Sequence, residues 1–397
     1  MSDSQEFTTR SIELAGLDRL QRRSLLVGVV ALAACLVGAL FGHQQFVRSY
    51  LVAYVFWIGI ALGSLAILML QHLTGGAWGL VIRRLLESAS RTLWLMALLF
   101  LPILVGVRSL YPWSRPEEVA ASHLLQHKAG YLNVGFFGLR ALIYFALWIG
   151  ISHLLNKWSL RQDRYGGPEW TRRMQLLSGP GLALFVLSVT FASIDWVMSL
   201  RPEWYSTMFG FLFVGGQALS ALAFTIVCIA MLADRKPLAD VLSADHFHDL
   251  GKLLLAFVML WTYFSFSQFL IIWSGNLPEE TPWYLARLRG GWGWVAMLIL
   301  LFHFALPFAL LLSRDIKRHS RRLAQVAALV VVMRFVDVLW LIVPEFQHGR
   351  LALHWMDLAA PIGMGGIWVA FFTWQLQRRP LLPLKTGVRL QGSGVRT

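Results

Sequence analysis

Ten stretches of roughly 20 apolar residues, separated by charged and turn-forming segments, leave this chain few ways to fold. In hydrocarbon every backbone N–H and C=O needs an internal partner, which a helix supplies within itself. Strands of a membrane barrel would alternate polar and apolar residues, and these stretches do not. The spans run Ser24–Phe41, Leu51–His72, Thr92–Val107, Leu132–Leu155, Ser178–Leu200, Met208–Ala233, Leu250–Ser274, Gly293–Ser313, Leu323–Val343 and Leu353–Leu376. The spacing predicts an all-α polytopic membrane protein with ten transmembrane helices. Hydrophobic residues make up 57% of the chain, charged residues 14%, and mean hydropathy is +0.60, far from the balance of a soluble domain.

The formal charge of +14 reports orientation rather than a nucleic-acid partner, because the cations sit between spans. Arg22 and Arg23, then Arg83, Arg84 and Arg91, Lys157 to Arg173, Arg235 to Lys252, Arg314 to Arg322, and the tail with Lys385, Arg389 and Arg396 fall on one side of a ten-span topology. Arg10 belongs with them. The opposite loops hold fewer, among them Arg48, Lys128 and Arg287. The excess places both termini in the cytoplasm. Leu32-Ala33-Ala34-Cys35 has the form of a lipoprotein cleavage box, but the apolar run continues to Phe41, so an uncleaved anchor is expected.

A pattern is written twice. Asp195 in the fifth span is followed by Pro202-Glu203-Trp204, and Asp337 in the ninth by Pro344-Glu345-Phe346. Tyr144-Phe145-Ala146-Leu147 in the fourth span likewise answers His303-Phe304-Ala305-Leu306 in the eighth. The repeat predicts two four-helix bundles, helices 2–5 and 6–9, flanked by helices 1 and 10. Four helices is an even number, so both copies share one orientation. In residues, 1–50 holds the N-terminus and first helix, 51–200 the first bundle, 201–346 the second, and 347–397 the last helix and tail.

Carboxylates inside a membrane are expensive and need a reason. Asp195 and Asp337 each lie less than about 10 Å from a helix end at 1.5 Å rise per residue. Arg140 can reach the first and Arg334 the second, with His303 deeper in the eighth span. One reading is proton conduction, since carboxyl, imidazole and hydroxyl groups can pass protons. Gln217, Ser220, Thr262, Tyr263 and Ser265 would then orient water in the second bundle, and Asp249, Lys252, His246 and His248 would gather protons at its other end. The other reading is that Arg140–Asp195 and Arg334–Asp337 are neutralising pairs that orient helices. His72, in Gln71-His72-Leu73-Thr74-Gly75-Gly76, is a candidate to bond a quinol hydroxyl or, equally, part of a polar cap before a turn.

Two cysteines, Cys35 and Cys228, cannot hold an iron–sulfur cluster, and no C-x-x-C-H attaches haem. No phosphate-cradling glycine loop follows a strand. The chain is expected to carry no cofactor of its own, no catalytic residue and no metal.

Phe191-Ala192-Ser193-Ile194-Asp195-Trp196-Val197-Met198-Ser199-Leu200, continuing through Trp204-Tyr205-Ser206-Thr207-Met208-Phe209-Gly210, resembles the ActF-type membrane subunits of alternative complex III. So does Ser267-Gln268-Phe269-Leu270-Ile271-Ile272-Trp273-Ser274-Gly275-Asn276-Leu277-Pro278-Glu279-Glu280. The resemblance runs from the second span to the tenth. That family is NrfD-like, or polysulfide-reductase-like. It implies two four-helix bundles in a bacterial inner membrane, within a complex that passes electrons from menaquinol or another quinol to cytochrome c or an equivalent acceptor. The implied partners are a paralogous NrfD-like membrane subunit, an iron–sulfur protein and a multihaem cytochrome c. They would carry the clusters and haems c, leaving this chain a proton pathway and a scaffold amid membrane lipid. Two alternatives stand beside that role. One is an NrfD-like anchor that itself binds quinol for an iron–sulfur or molybdopterin-type oxidoreductase. The other is a secondary transporter, against which the scarcity of broken half-helices counts.

Overall fold

The computed structural model describes residues 15–347 and 350–383, so Arg10, Lys385, Arg389 and Arg396 lie outside the described residues. Among the described residues there are helices and no strand. Ten helices are long and apolar enough to cross a membrane: α1 Gly16–Ala39, α2 His43–Thr74, α3 Ala77–Val105, α4 Val134–Tyr165, α5 Pro168–Leu200, α6 Phe209–Leu232, α7 Ala244–Gly275, α8 Trp292–Leu312, α9 Ser320–Glu345 and α10 Met356–Gln377. The chain is an all-α polytopic membrane protein.

Helices α2 to α5 pack in a ring, α2 against α3 and α5, and α4 against α3 and α5; α6 to α9 repeat that ring. The rings join chiefly where α2 meets α6, with α5 against α6 and α2 against α9. That seam explains why 94% of the residues in the most apolar stretch of α2 are buried. A Cβ on Gly63 of α2 would lie 1.9 Å from the carbonyl oxygen of Gln217 on α6, so only glycine lets the two backbones approach there. α10 packs on α2 and carries α1 on its outer side. Along α1 and α10, a Cβ on Gly28 would meet the backbone nitrogen of Ile367 at 2.6 Å, and one on Gly366 the carbonyl of Ser24 at 2.4 Å. Cys35 is buried inside α1.

An even number of spans places the described chain ends at one face of the bundle, together with the loops after α2, α4, α6 and α8. This face carries most of the basic residues and is called the basic face below. At the opposite face lie the loop 106–133, with its short helices Pro116–Ala121 and His123–Lys128, and the loop carrying helix Thr281–Leu288.

α3 departs from expectation. Its first half, Ala77–Ser90, was expected in the loop that carries Arg83 and Arg84, yet it is helical with the side chains of Arg83, Arg84 and Glu87 buried. Their three- and four-residue spacing puts them on one helix face, where they neutralise one another. Arg287, expected as a loop cation, is likewise wholly buried.

Candidate functional site

Asp195 and Asp337 both sit in the last turns of their helices, α5 and α9, near the face opposite the basic one. Asp195 is 1% exposed. Arg140 of α4 grips it with two parallel bonds, Nε to Oδ2 at 2.8 Å and Nη2 to Oδ1 at 2.9 Å, and the Tyr144 hydroxyl donates to Oδ2 at 2.9 Å. The third guanidinium edge donates to the Tyr131 carbonyl at 2.8 Å, while the Tyr131 and Phe136 rings lie 3.8 and 4.4 Å from the guanidinium carbon. The turn that follows is pinned as well. Ser199 Oγ donates to the Asp195 carbonyl at 2.6 Å and accepts from Trp113 Nε1 at 3.1 Å. Both carboxylate oxygens are occupied and the cation is fully engaged. This is the geometry of a clamp between α4 and α5.

Asp337 is also buried, but its neighbours differ. Arg334, on the same helix, reaches Oδ2 through Nη1 alone. The guanidinium fits because α6 has glycine opposite it. A Cβ on Gly216 would sit 2.3 Å from the guanidinium carbon. His303 of α8, which answers Tyr144 in the sequence repeat, is fully buried with neither ring nitrogen hydrogen-bonded. Its ring meets the Trp261 indole of α7 edge-on, with centroids 4.2 Å apart. Trp261 Nε1 is within electrostatic reach of Asp337 but makes no hydrogen bond, and Arg334 is within electrostatic reach of His303.

The backbone at His303 is unusual too. Leu300–Ala305 forms a π-helical turn, in which the Leu306 N–H reaches back to the Leu301 carbonyl. Pro307 follows and has no N–H for the His303 carbonyl, so the helix cannot continue in strict α register there. π-Turns of this kind recur at functional sites. An imidazole with both nitrogens free can accept a proton on one and release a proton from the other.

The remaining candidates divide by position. Gln217 is buried with Oε1 unpartnered, but it faces the seam between bundles. There it lines a void of about 10 Å³ with Ser193, Trp196 and Phe213, at the lower limit for one water. Ser220 and Thr262 bond carbonyls of their own helices, those of Gln217 and Val258. Ser265 makes no side-chain hydrogen bond among the described residues. Tyr263 is 64% exposed and points outward, so it is not brought to the pair as expected. At the basic face Asp249 pairs with Lys252 at 3.1 Å on an exposed turn, and His246 caps the start of α7 against Ser243. His248 is half-buried with Nδ1 unpartnered. None of these four contacts Asp337. His72 is buried at the basic end of α2 with Nε2 unpartnered, just before Gly75 and Gly76, whose positive φ makes the turn.

Two buried carboxylate systems were missed. Arg287 Nη2 donates to Glu345 Oε1 and to the Leu341 carbonyl, both at 2.7 Å, with the Trp283 ring 3.5 Å from its guanidinium carbon. Glu345 belongs to the second Pro-Glu-aromatic triplet, whereas Glu203 of the first is exposed. Near the basic face Glu87 accepts from Arg83, Arg84, Arg379 and Ser159, the last at 2.5 Å. The arginine–glutamate spacing in α3 was the available signal for that cluster, while Arg287 and Glu345 lie too far apart in sequence to suggest pairing. No protein-family model matches the chain, and no curated protein is similar enough to count as a relative.

Proposed function

We propose that the chain is a membrane subunit of an alternative-complex-III-type quinol:acceptor oxidoreductase, in which the second bundle passes protons and the first is a rigid scaffold. The observation that carries this reading is His303, a buried imidazole with no hydrogen-bond partner, set on a π-turn against Trp261 and within electrostatic reach of Arg334, the partner of Asp337. Protonation of the Asp337 carboxylate would loosen its single contact with Arg334. The neutral imidazole of His303 would accept the proton on one nitrogen and give up another from the second. Oxidation of a quinol releases two electrons and two protons; the electrons would leave through partner subunits holding the iron–sulfur clusters and haems c. This chain's share is the proton. Its basic face would be cytoplasmic, in a bacterial inner membrane, and reporter fusions at Arg164 and His319 should read cytoplasmic. A periplasmic signal at either would reverse the orientation.

The test compares Asp337→Asn and His303→Gln in the assembled complex. Both should leave quinol oxidation in detergent intact and lower proton release from sealed vesicles. Undiminished proton release from an intact Asp337→Asn complex would end the relay reading.

A second reading, that this chain binds quinol itself, is favoured by one feature. A cleft of about 280 Å³ opens beside the Asp195 clamp, lined by Lys128, Tyr131, Met198, Pro202 and Tyr205, and the Tyr131 hydroxyl, within electrostatic reach of Asp195 and Tyr144, makes no hydrogen bond. If quinol binds there, Tyr131→Phe should strip quinone from the purified complex and leave vesicle proton release proportional to turnover.

A further inference from the structure

At the basic face a cavity of about 480 Å³ opens between α3, α4 and α10. Five cations line it, Arg91, Lys157, Arg161, Arg164 and Arg379, and no carboxylate does. Only Arg379 among them reaches Glu87, at 3.1 Å, and that glutamate already serves Arg83 and Arg84. Arg91 donates its backbone N–H to the Glu87 carbonyl at 3.2 Å, but the side chains of Arg91 and Lys157 make no hydrogen bond or salt bridge among the described residues.

The floor is polar and built. Ser90, Ser152 and Asn156 are buried and mutually bonded, Asn156 Oδ1 accepts from Arg379 at 2.8 Å, and Asn156 Nδ2 donates to the Ser152 carbonyl at 2.8 Å. Gln375 is 4% exposed and lines the same floor with Oε1 unpartnered. A buried acceptor without a donor is costly. The side wall is apolar, Leu93 and Ile149, and reaches Trp94, which is 60% exposed on the outer surface of α3.

We propose that this cavity binds a phosphate-bearing anion that carries a hydroxyl beside its charge. Guanidinium groups match phosphate oxygens as forks, the ring of cations supplies the counter-charge, and the hydroxyl satisfies Gln375. A glycerol-type phospholipid headgroup has this chemistry, with its acyl chains along Leu93, Ile149 and Trp94. Hydrogen phosphate from solution has it too. Basic pockets between membrane helices are known hosts for anionic headgroups.

The test uses the full chain in uncharged detergent, titrated calorimetrically with short-chain phosphatidylglycerol, phosphatidylcholine of the same chain length, and inorganic phosphate. Phosphatidylglycerol should bind and phosphatidylcholine should not. Arg91→Gln and Lys157→Gln should each weaken binding about fivefold, as expected for one cation near a membrane surface. Arg172→Gln, which removes a cation at the same face outside the cavity, should leave it unchanged. Lys157 is exposed and unbonded, so its variant folds even if Arg91→Gln does not. Inorganic phosphate binding with the same variant dependence would identify the free anion as the source; binding confined to phosphatidylglycerol would identify the lipid. Equal binding of phosphatidylcholine, equal loss in Arg172→Gln, indifference to Lys157→Gln, or no binding of either anion would each overturn the proposal.

Discussion

Asp195 and Asp337 occupy the same place in two halves of the chain, and their neighbours set them different tasks. Arg140 and Tyr144 leave Asp195 no oxygen to spare. Removing one member of such a buried pair commonly costs about 3–5 kcal/mol, so Asp195→Asn should lower the yield of folded chain in mild detergent, while Asp337→Asn, which breaks one contact, should lower it much less. Size-exclusion recovery of the two variants checks this. Tyr284, between α7 and α8, carries a pH dependence. Burial pushes its hydroxyl up to about 12, against about 10 in the unfolded chain. The unfolded chain therefore loses this proton first, and the stability it protects is complete below about pH 10 and falls between about pH 10 and 12. Thermal melts across that window should show the loss, and Tyr284→Phe should flatten it.

At the scale of elements, the spans were legible because their signal is a long run of apolar residues, and only the ends moved. α4 and α5 extend to Tyr165 and back to Pro168, well beyond their apolar windows, because a helix in a bundle continues where polar side chains find partners. Buried networks were not legible. Arg83, Arg84 and Glu87 cancel one another's cost through contacts with α4 and α10, and hydropathy sums each residue alone. The repeat of Tyr144 and His303 was visible as letters; that the first bonds an aspartate and the second has no partner needed the packing of α7 and the proline-driven π-turn. The α1–α10 crossing was missed for the same reason, since its glycines matter only once the two backbones face each other. Gly366→Leu should drive α1 from α10 while the rings persist. Crosslinking between cysteines introduced at Ser24 and Ile367 should then fall at least about tenfold if the lost packing is worth 1.4 kcal/mol or more.

At the scale of the whole molecule, the rings meet along a glycine-dependent seam, and the most exposed apolar surfaces lie on α1, α7 and α8. α7 and α8, each 22% buried, hold Trp261 and His303 on their inner sides, so anything that covers their outer sides would also stiffen the relay candidates. A partner docked there should slow hydrogen exchange along Leu300–Ala305, and exchange measured with and without assembled partners would show whether it does. The crossing of α1 on α10 has a consequence in time. Synthesis runs at roughly 5–20 residues per second, so the first helix made must wait on the order of half a minute for the last. During that wait only lipid and its smaller contact with α2 hold it, and α1 presents an apolar surface on nearly every side. A nascent chain stopped before Met356 should leave α1 open to protease or alkylation at Cys35, and release of the full chain should close that access, as a clasp fastened by the final piece to arrive.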